Sequence, residues 1–145
     1  MERHFNVTVY IFDPVAMRFL FIKHKKLGKW LPPGGHVDEN ERPDDAAIRE
    51  VIEETGINVC LKGERFPRET DIFRPFGIQL NVIEPGKHEH MDLIYLATPL
   101  GDQKEIFNEK ETTGIQWFTM EEINNGSFDT FEETRKWCRK FHDMQ

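Results

Sequence analysis

Hydrophobic residues along this chain come in short bursts whose spacing changes from strand-like to helical and back. From Phe5 to Phe12 the run through Val7, Thr8, Val9, Tyr10 and Ile11 is β-branched and aromatic, which predicts a strand. Asp13-Pro14 turns the chain, and Phe19 to Lys23 predicts a second strand. A basic loop from His24 to Lys29 follows, then Trp30-Leu31-Pro32-Pro33-Gly34-Gly35, where two prolines and two glycines argue against regular structure. Pro43 suits the first turn of a helix, with Asp44 and Asp45 placed against the positive end of its dipole. That helix is expected to run to Thr55 and to end at Gly56 as a C-cap. Ile48, Val51, Ile52 and Thr55 form its expected buried side.

Further strands are expected at Ile57–Leu61, Gly77–Ile83, Met91–Ala97 and Ile115–Phe118, with a polar turn from Glu84 to Glu89. A short helix near Met120–Ile123 and a longer one from Thr130 to His142 close the chain. The latter carries an Asp129/Glu132 capping box and a stripe of Phe131, Cys138 and Phe141. Strands with one central and one C-terminal helix imply a mixed α+β sandwich in one domain over residues 1–145.

Composition narrows the function. With 145 residues, 38% hydrophobic, 12 Phe and 3 Trp, the chain can bury a core of its own. A net charge of −7 argues against a long nucleic acid as the main partner, but leaves a small anionic ligand open if a cation or local basic patch offsets the field. Cys60 and Cys138 are far apart and in no metal-binding spacing, so a buried, reduced pair is expected. The segment MERHFNVTVYIF carries no long apolar run or cleavage signal, so neither leader nor membrane span is expected and a cytoplasmic location follows.

One 23-residue window, Gly35 to Ile57, concentrates the chemistry. Glu50, Glu53 and Glu54 stand at i, i+3 and i+4, so on a helix turning about 100° per residue they share one arc. A solvated acidic face is the ordinary explanation of such a pattern. Here the three cluster without an intervening base, while Arg49 can pair with Glu53 or Asp45 at four-residue spacing. Three carboxylates on one face suit a hard divalent cation, which in turn binds and activates phosphates.

The window fits G-x5-E-x7-R-E-U-x-E-E-x-G-U (U aliphatic) at Gly35, Glu41, Arg49, Glu50, Val51, Glu53, Glu54, Gly56 and Ile57. This closely resembles the signature of the Nudix hydrolase family; Pro33-Gly34 ahead of it, and Trp117-Phe118-Thr119 with Glu121-Glu122-Ile123 near the end, resemble family features too. The resemblance implies an α/β/α sandwich with a mixed central sheet and a loop-helix-loop motif. It also implies a Mg²⁺-dependent pyrophosphohydrolase, with Mn²⁺ as the alternative ion, acting on a nucleoside diphosphate linked to another moiety.

Carried onto this chain, it makes Glu50, Glu53 and Glu54 metal ligands with the Gly34 carbonyl. Arg49 and Glu41 orient them. The general base is expected at Glu53 or Glu54, Glu53 first, with the loop acids Glu84, Glu89, Glu109 and Glu111 as alternatives. A homodimer is compatible with the resemblance, and a nucleotide-binding or sensor module without turnover is the competing reading. Isomerase chemistry on an isoprenoid diphosphate would look for a catalytic cysteine that neither Cys60 nor Cys138 supplies.

Two clusters outside the motif are candidate substrate contacts. Lys23, Lys25 and Lys29, in a run with His24 and Lys26, could steer a polyphosphate, although charge runs are usually solvated. His88, His90 and Asp92 share one face if the strand extends that far, where imidazoles could meet phosphate or a further metal; a hydrogen-bonded hairpin rim is the plainer alternative. Trp30, Phe73 and Phe76 are weighed as base-stacking residues against membership of the core. Substrate selection is expected in the loops 66–76 and 101–113.

Overall fold

The computed structural model describes residues 1–65, 70–106 and 108–145. Its middle strand is β1 (Glu2–Asp13), which pairs along both edges. On one edge it meets β2 (Arg18–His24) and, nearer its start, β4 (Gly34–His36), both antiparallel, with Ile11 opposite Leu20 and Asn6 opposite His36. On the other edge it runs parallel to β7 (His88–Pro99), from Glu2 opposite His88 to Ile11 opposite Ala97. β3 (Trp30–Leu31) and β8 (Thr112–Thr119) pair with β2, while β5 (Val59–Leu61) and β6 (Gly77–Glu84) take separate stretches of β7.

Side-chain alternation along β1 divides the core in two. Val7, Val9 and Ile11 face α1 (Pro43–Thr55), meeting Ala46, Ala47 and Val51 with Leu93 and Tyr95. Tyr10 and Phe12 face the other way, onto Cys138 and Phe141 of α3 (Glu132–Asp143) and Ile123 of α2 (Met120–Asn124). Each fully buried Phe, Ile or Leu in these layers contributes about 1.5–3 kcal/mol. The result is an α/β/α sandwich around a mixed sheet. α1 begins at Pro43 with Asp44 and Asp45 in its first turn, and Gly56 (φ 72°) closes it with its N–H on the Ile52 carbonyl at 2.9 Å.

Several local expectations are corrected. The Trp30–Gly35 segment is not wholly irregular, because its ends find partners in β2 and β1. β1 starts at Glu2, and β7 reaches back to His88, leaving only Pro85-Gly86-Lys87 as the turn after β6. Ile52 is 43% exposed, since the small Ala46 and Ala47 bring α1 against the sheet along a different line. The Asp129/Glu132 capping box does not form. Phe131 is the N-cap without a side-chain bond, and Asp129 pairs with Lys29 at 2.8 Å instead. Phe131 is 46% exposed, so Thr134, Cys138 and Phe141 make the buried stripe. Cys60 is exposed on β5, whereas burial pushes the Cys138 thiol well up from its ordinary value. Residues 66–69 of the first expected specificity loop, and Phe107 of the second, lie outside the described residues.

Candidate functional site

The antiparallel pairing of β4 with β1 lays the Gly34-Gly35 backbone across the acidic face of α1. Alternate residues of β4 point to opposite sides, and neither side has room for a Cβ. At Gly34 an added Cβ would fall 2.2 Å from the Val7 carbonyl oxygen, and at Gly35 it would fall 2.4 Å from the Glu50 carboxyl. The missing side chains let Glu50 and Glu54 reach the strand. Glu54 accepts the Gly34 N–H at 2.8 Å.

Arg49 ties the loop to the helix. Its Nε and one Nη donate to the two Glu41 oxygens at 2.8 and 3.0 Å. The other Nη reaches Glu50 at 2.9 Å and Glu53 at 3.2 and 3.3 Å, while the Nη that holds Glu41 also donates to the His36 carbonyl at 2.9 Å. The Arg49 hydrogen bond holds the Glu41 carboxyl below its ordinary value. Glu50 is raised by burial against the pull of Arg49. Glu54 is pushed up to about 8, first by burial, with neighbouring Glu50, Glu111 and Glu53 adding like-charge repulsion.

These groups open onto one cavity of about 420 Å³, lined by Gly34, Gly35, Glu50, Glu53, Glu54 and Glu111. Asn6, His36, His90 and Asn108 complete its wall. Of the four loop acids weighed as alternative bases, Glu111 lines this cavity. Glu89 pairs with Arg3 and Glu84 with Lys87, both on the β6–β7 hairpin side.

The basic loop is placed otherwise. Lys29 pairs with Asp129, and Lys23 lies over the Trp30 ring at 5.9 Å. Lys25 docks its backbone N–H on the Glu111 carbonyl. None of the three lysines lines the cavity. His90 lines it, while His88 sits farther along β7 in a group of imidazoles. Trp30 packs against Phe118, and Phe76 against Phe141, in the core rather than in the cavity. Phe73 packs on the opposite core cluster.

The family model of the NUDIX domain matches residues 2–141. The chain belongs to the Nudix family. It is 31% identical over 112 residues to the asymmetrical bis(5'-nucleosyl)-tetraphosphatase of Mus musculus, covering 76% of this chain and 69% of that one. It is 38% identical over 104 residues to a protein of Lactococcus lactis subsp. cremoris (strain MG1363) named "Probable DHNTP pyrophosphohydrolase", covering 72% of this chain and 57% of the relative. It spans 58% of the length of a Bacillus subtilis (strain 168) relative, at 28% identity over 102 residues. Among solved structures, a Nudix-family hydrolase from Clostridium perfringens superposes with a TM-score of 0.81 at 29% identity, covering 99% of each chain.

Sequence reasoning missed Asn6, His36 and Asn108 on the Nudix cavity wall. No local pattern marks them: Asn6 and His36 become neighbours only through the β1–β4 register. It also treated Asp92 only as one of a histidine-rich face. In the structure Asp92 is 4% exposed on the floor of an adjoining hollow that shares Asn6 with the first. Asp92 accepts both Thr8 contacts at 2.8 and 2.9 Å, Asn81 at 3.1 Å and Asn6 at 3.2 Å.

Proposed function

We propose that this chain is a divalent-metal-dependent hydrolase that splits a phosphoric anhydride in a small nucleotide or related diphosphate. The observation that carries the reading is the convergence of Glu50, Glu53, Glu54 and Glu111 on one cavity, with Glu50 and Glu54 raised by burial and the available guanidinium already shared among four carboxylates. Buried acids without a cation are costly, and an all-oxygen donor set fits Mg²⁺, or Mn²⁺, better than a softer ion. Glu50, Glu53 and Glu54 would hold it, with the Gly34 carbonyl as a further donor.

Bound there, such an ion would supply charge neutralisation for the diphosphate and make a nearby water more acidic. The chain's own residues do the rest. Arg49, gripped by Glu41, holds Glu50 and Glu53 in register with Glu54. The proton of the attacking water goes to Glu53 or Glu111. Glu53 is already a partner of Arg49, which weakens it as a base; among the described residues the Glu111 carboxylate has no hydrogen-bond or ion-pair partner and is the better placed acceptor. His90 and Asn6 face the same space and suit the outer phosphate or the sugar. The group beyond the diphosphate would lie along Asn6 toward Asp92, Asn81 and Gln79, a wall of amides and one acid suited to a polar heterocycle.

The test is phosphate and pyrophosphate release from nucleoside triphosphates, dinucleoside polyphosphates and nucleotide sugars with Mg²⁺, for the wild type and for Glu53→Gln and Glu111→Gln separately. Turnover of at least one substrate, lost by about 10²–10⁴-fold in the variant that removes the base, is expected. Tight nucleotide binding with no turnover on the whole panel would make the chain a binding module.

A further inference from the structure

Outside the acidic cavity, the start of β1 and the start of β7 bring a second kind of ligand together. The parallel register sets Glu2 beside His88 and His4 beside His90, and the β1–β4 pairing adds His36 on the same side as His4. One donor atom from each of Glu2, His4 and His88 lies within 4.8 Å of the others. His4 Nε2 is 2.7 Å from the Glu2 carboxylate. His88 Nε2 is buried and, among the described residues, has no hydrogen-bond partner. A buried imidazole nitrogen left unpaired is costly, and a bound metal ion is one way to satisfy it.

We propose that Glu2, His4 and His88 form a binding site for a transition-metal ion of the Zn²⁺ class, separate from the acidic cavity. Two imidazoles and a carboxylate with an open fourth position match the donor type and number of three-ligand zinc sites. Tetrahedral ligands about 2.0–2.1 Å from zinc stand roughly 3.3 Å apart, so the His4–Glu2 pair would open from 2.7 Å to admit the ion, while no donor pair starts more than 4.8 Å apart. Donor chemistry separates the two sites: imidazole favours Zn²⁺, Cu²⁺ or Ni²⁺, whereas the carboxylates of α1 favour a hard ion.

The site is not isolated from the cavity. His4 stacks on His36 with ring centroids 5.1 Å apart, and His88 meets His90 edge-on at 4.8 Å. His36 and His90 contact each other through their Nε2 atoms at 3.1 Å, and both line the acidic cavity. An ion held by Glu2, His4 and His88 would therefore fix two imidazoles that abut the cavity wall, and would pin the first residues of β1 to β7.

The experiment is Zn²⁺ titration of the untagged 145-residue chain against a competing chromophoric chelator, in a large excess of Mg²⁺ to compete at the acidic cavity. The wild type is expected to hold one equivalent of Zn²⁺. His4→Ala and His88→Ala are each expected to weaken it roughly a hundredfold or more, since loss of even a supporting partner costs about 10–100-fold. Glu53→Gln and Glu54→Gln should leave it unchanged. His4 is partly exposed, so His4→Ala keeps the test decisive if His88→Ala fails to fold. Equal Zn²⁺ affinity in wild type and His4→Ala, or loss of the ion in Glu53→Gln instead, would overturn the proposal. Loss confined to His36→Ala and His90→Ala would overturn it as well.

Discussion

Asp92, buried, and Glu54, half-buried, line adjoining cavities that share Asn6, and their surroundings differ in kind. Asp92, on the β7 floor, is raised by burial but accepts four contacts from neutral donors on Thr8, Asn6 and Asn81. Glu54, on α1, is also raised by burial; the contact that opposes it is one backbone N–H, and its charged neighbours are Glu50, Glu53 and Glu111. Asp92 belongs to a finished hydrogen-bond network that shapes a wall. Glu54 belongs to a network that still wants a positive charge. Burial alone therefore does not single out a candidate metal ligand; burial together with like-charged neighbours does.

The largest effect should come from completing the second network artificially. Glu54→Gln removes the charge but keeps the shape, and hydrolysis with Mg²⁺ should fall by about 10³-fold. Stability should move the other way. Because the folded, metal-free pKa of Glu54 lies near 8, above its ordinary 4.5, its contribution is present at low pH and is lost as pH rises through about 8. Metal-free wild type should therefore lose Tm between pH 5 and pH 8, and Mg²⁺ should restore most at the alkaline end. Asp92 is shifted in the same direction, so the wild-type minus Glu54→Gln difference isolates Glu54. A Tm difference between the two proteins that stays flat with pH would contradict the comparison.

Next in size are the two glycines of β4, which sharpen the contrast between ligand and scaffold. At Gly35 the obstacle to a methyl group is the flexible end of Glu50, so Gly35→Ala should fold nearly normally yet push Glu50 aside, weakening Mg²⁺ about 10–100-fold. At Gly34 the obstacle is the Val7 backbone, so Gly34→Ala should cost roughly 1–3 kcal/mol of stability through the strand pairing itself. Denaturant midpoints and metal titrations on both variants would separate them. Equal stability losses would mean that Glu50 is no freer to move than backbone.

These two glycines also show what the sequence made legible. Three features of the Gly35–Ile57 window could be placed from local rules: Pro43 opens α1, Gly56 closes it, and three acids share a face. The packing line of α1 could not, because it depends on what the sheet offers; hence Ile52 outside and Ala46 inside. The far wall was illegible for the same reason. Asn6, His36, Asn81 and Asp92 lie on four strands and meet only through register, which alternation within one strand does not reveal. Asp129 looked like a cap in sequence, and was drawn off by Lys29, a partner 100 residues away.

A smaller effect is expected on the first network. Asp92→Asn replaces one accepting carboxylate oxygen with an NH₂ donor facing either the Asn6 or the Asn81 amide, which now donates to it, so one contact must break and the wall must re-form. Since the wall lies beyond the hydrolytic cavity, KM should rise about tenfold with kcat nearly unchanged. A fall in kcat at constant KM would place Asp92 with the reacting groups and erase its contrast with Glu54.

The smallest effect should come from Lys29, the residue most exposed to a purely electrostatic reading of the basic loop. Its ammonium is committed to Asp129 at 2.8 Å and lies 5.4 Å from the Phe131 ring centre, outside the acidic cavity. A surface pair of this kind is worth at most about 1 kcal/mol, less in salt. Lys29→Ala should thus lower Tm by a degree or two, and the deficit should shrink in high salt. Hydrolysis should be unchanged at low ionic strength, where steering would show most. A kcat/KM that dropped several-fold at low salt, and recovered as salt rose for the wild type alone, would return Lys29 to the substrate's path. It would also move the boundary of the working site from the α1–β4 cavity out to the α3 end of the sheet.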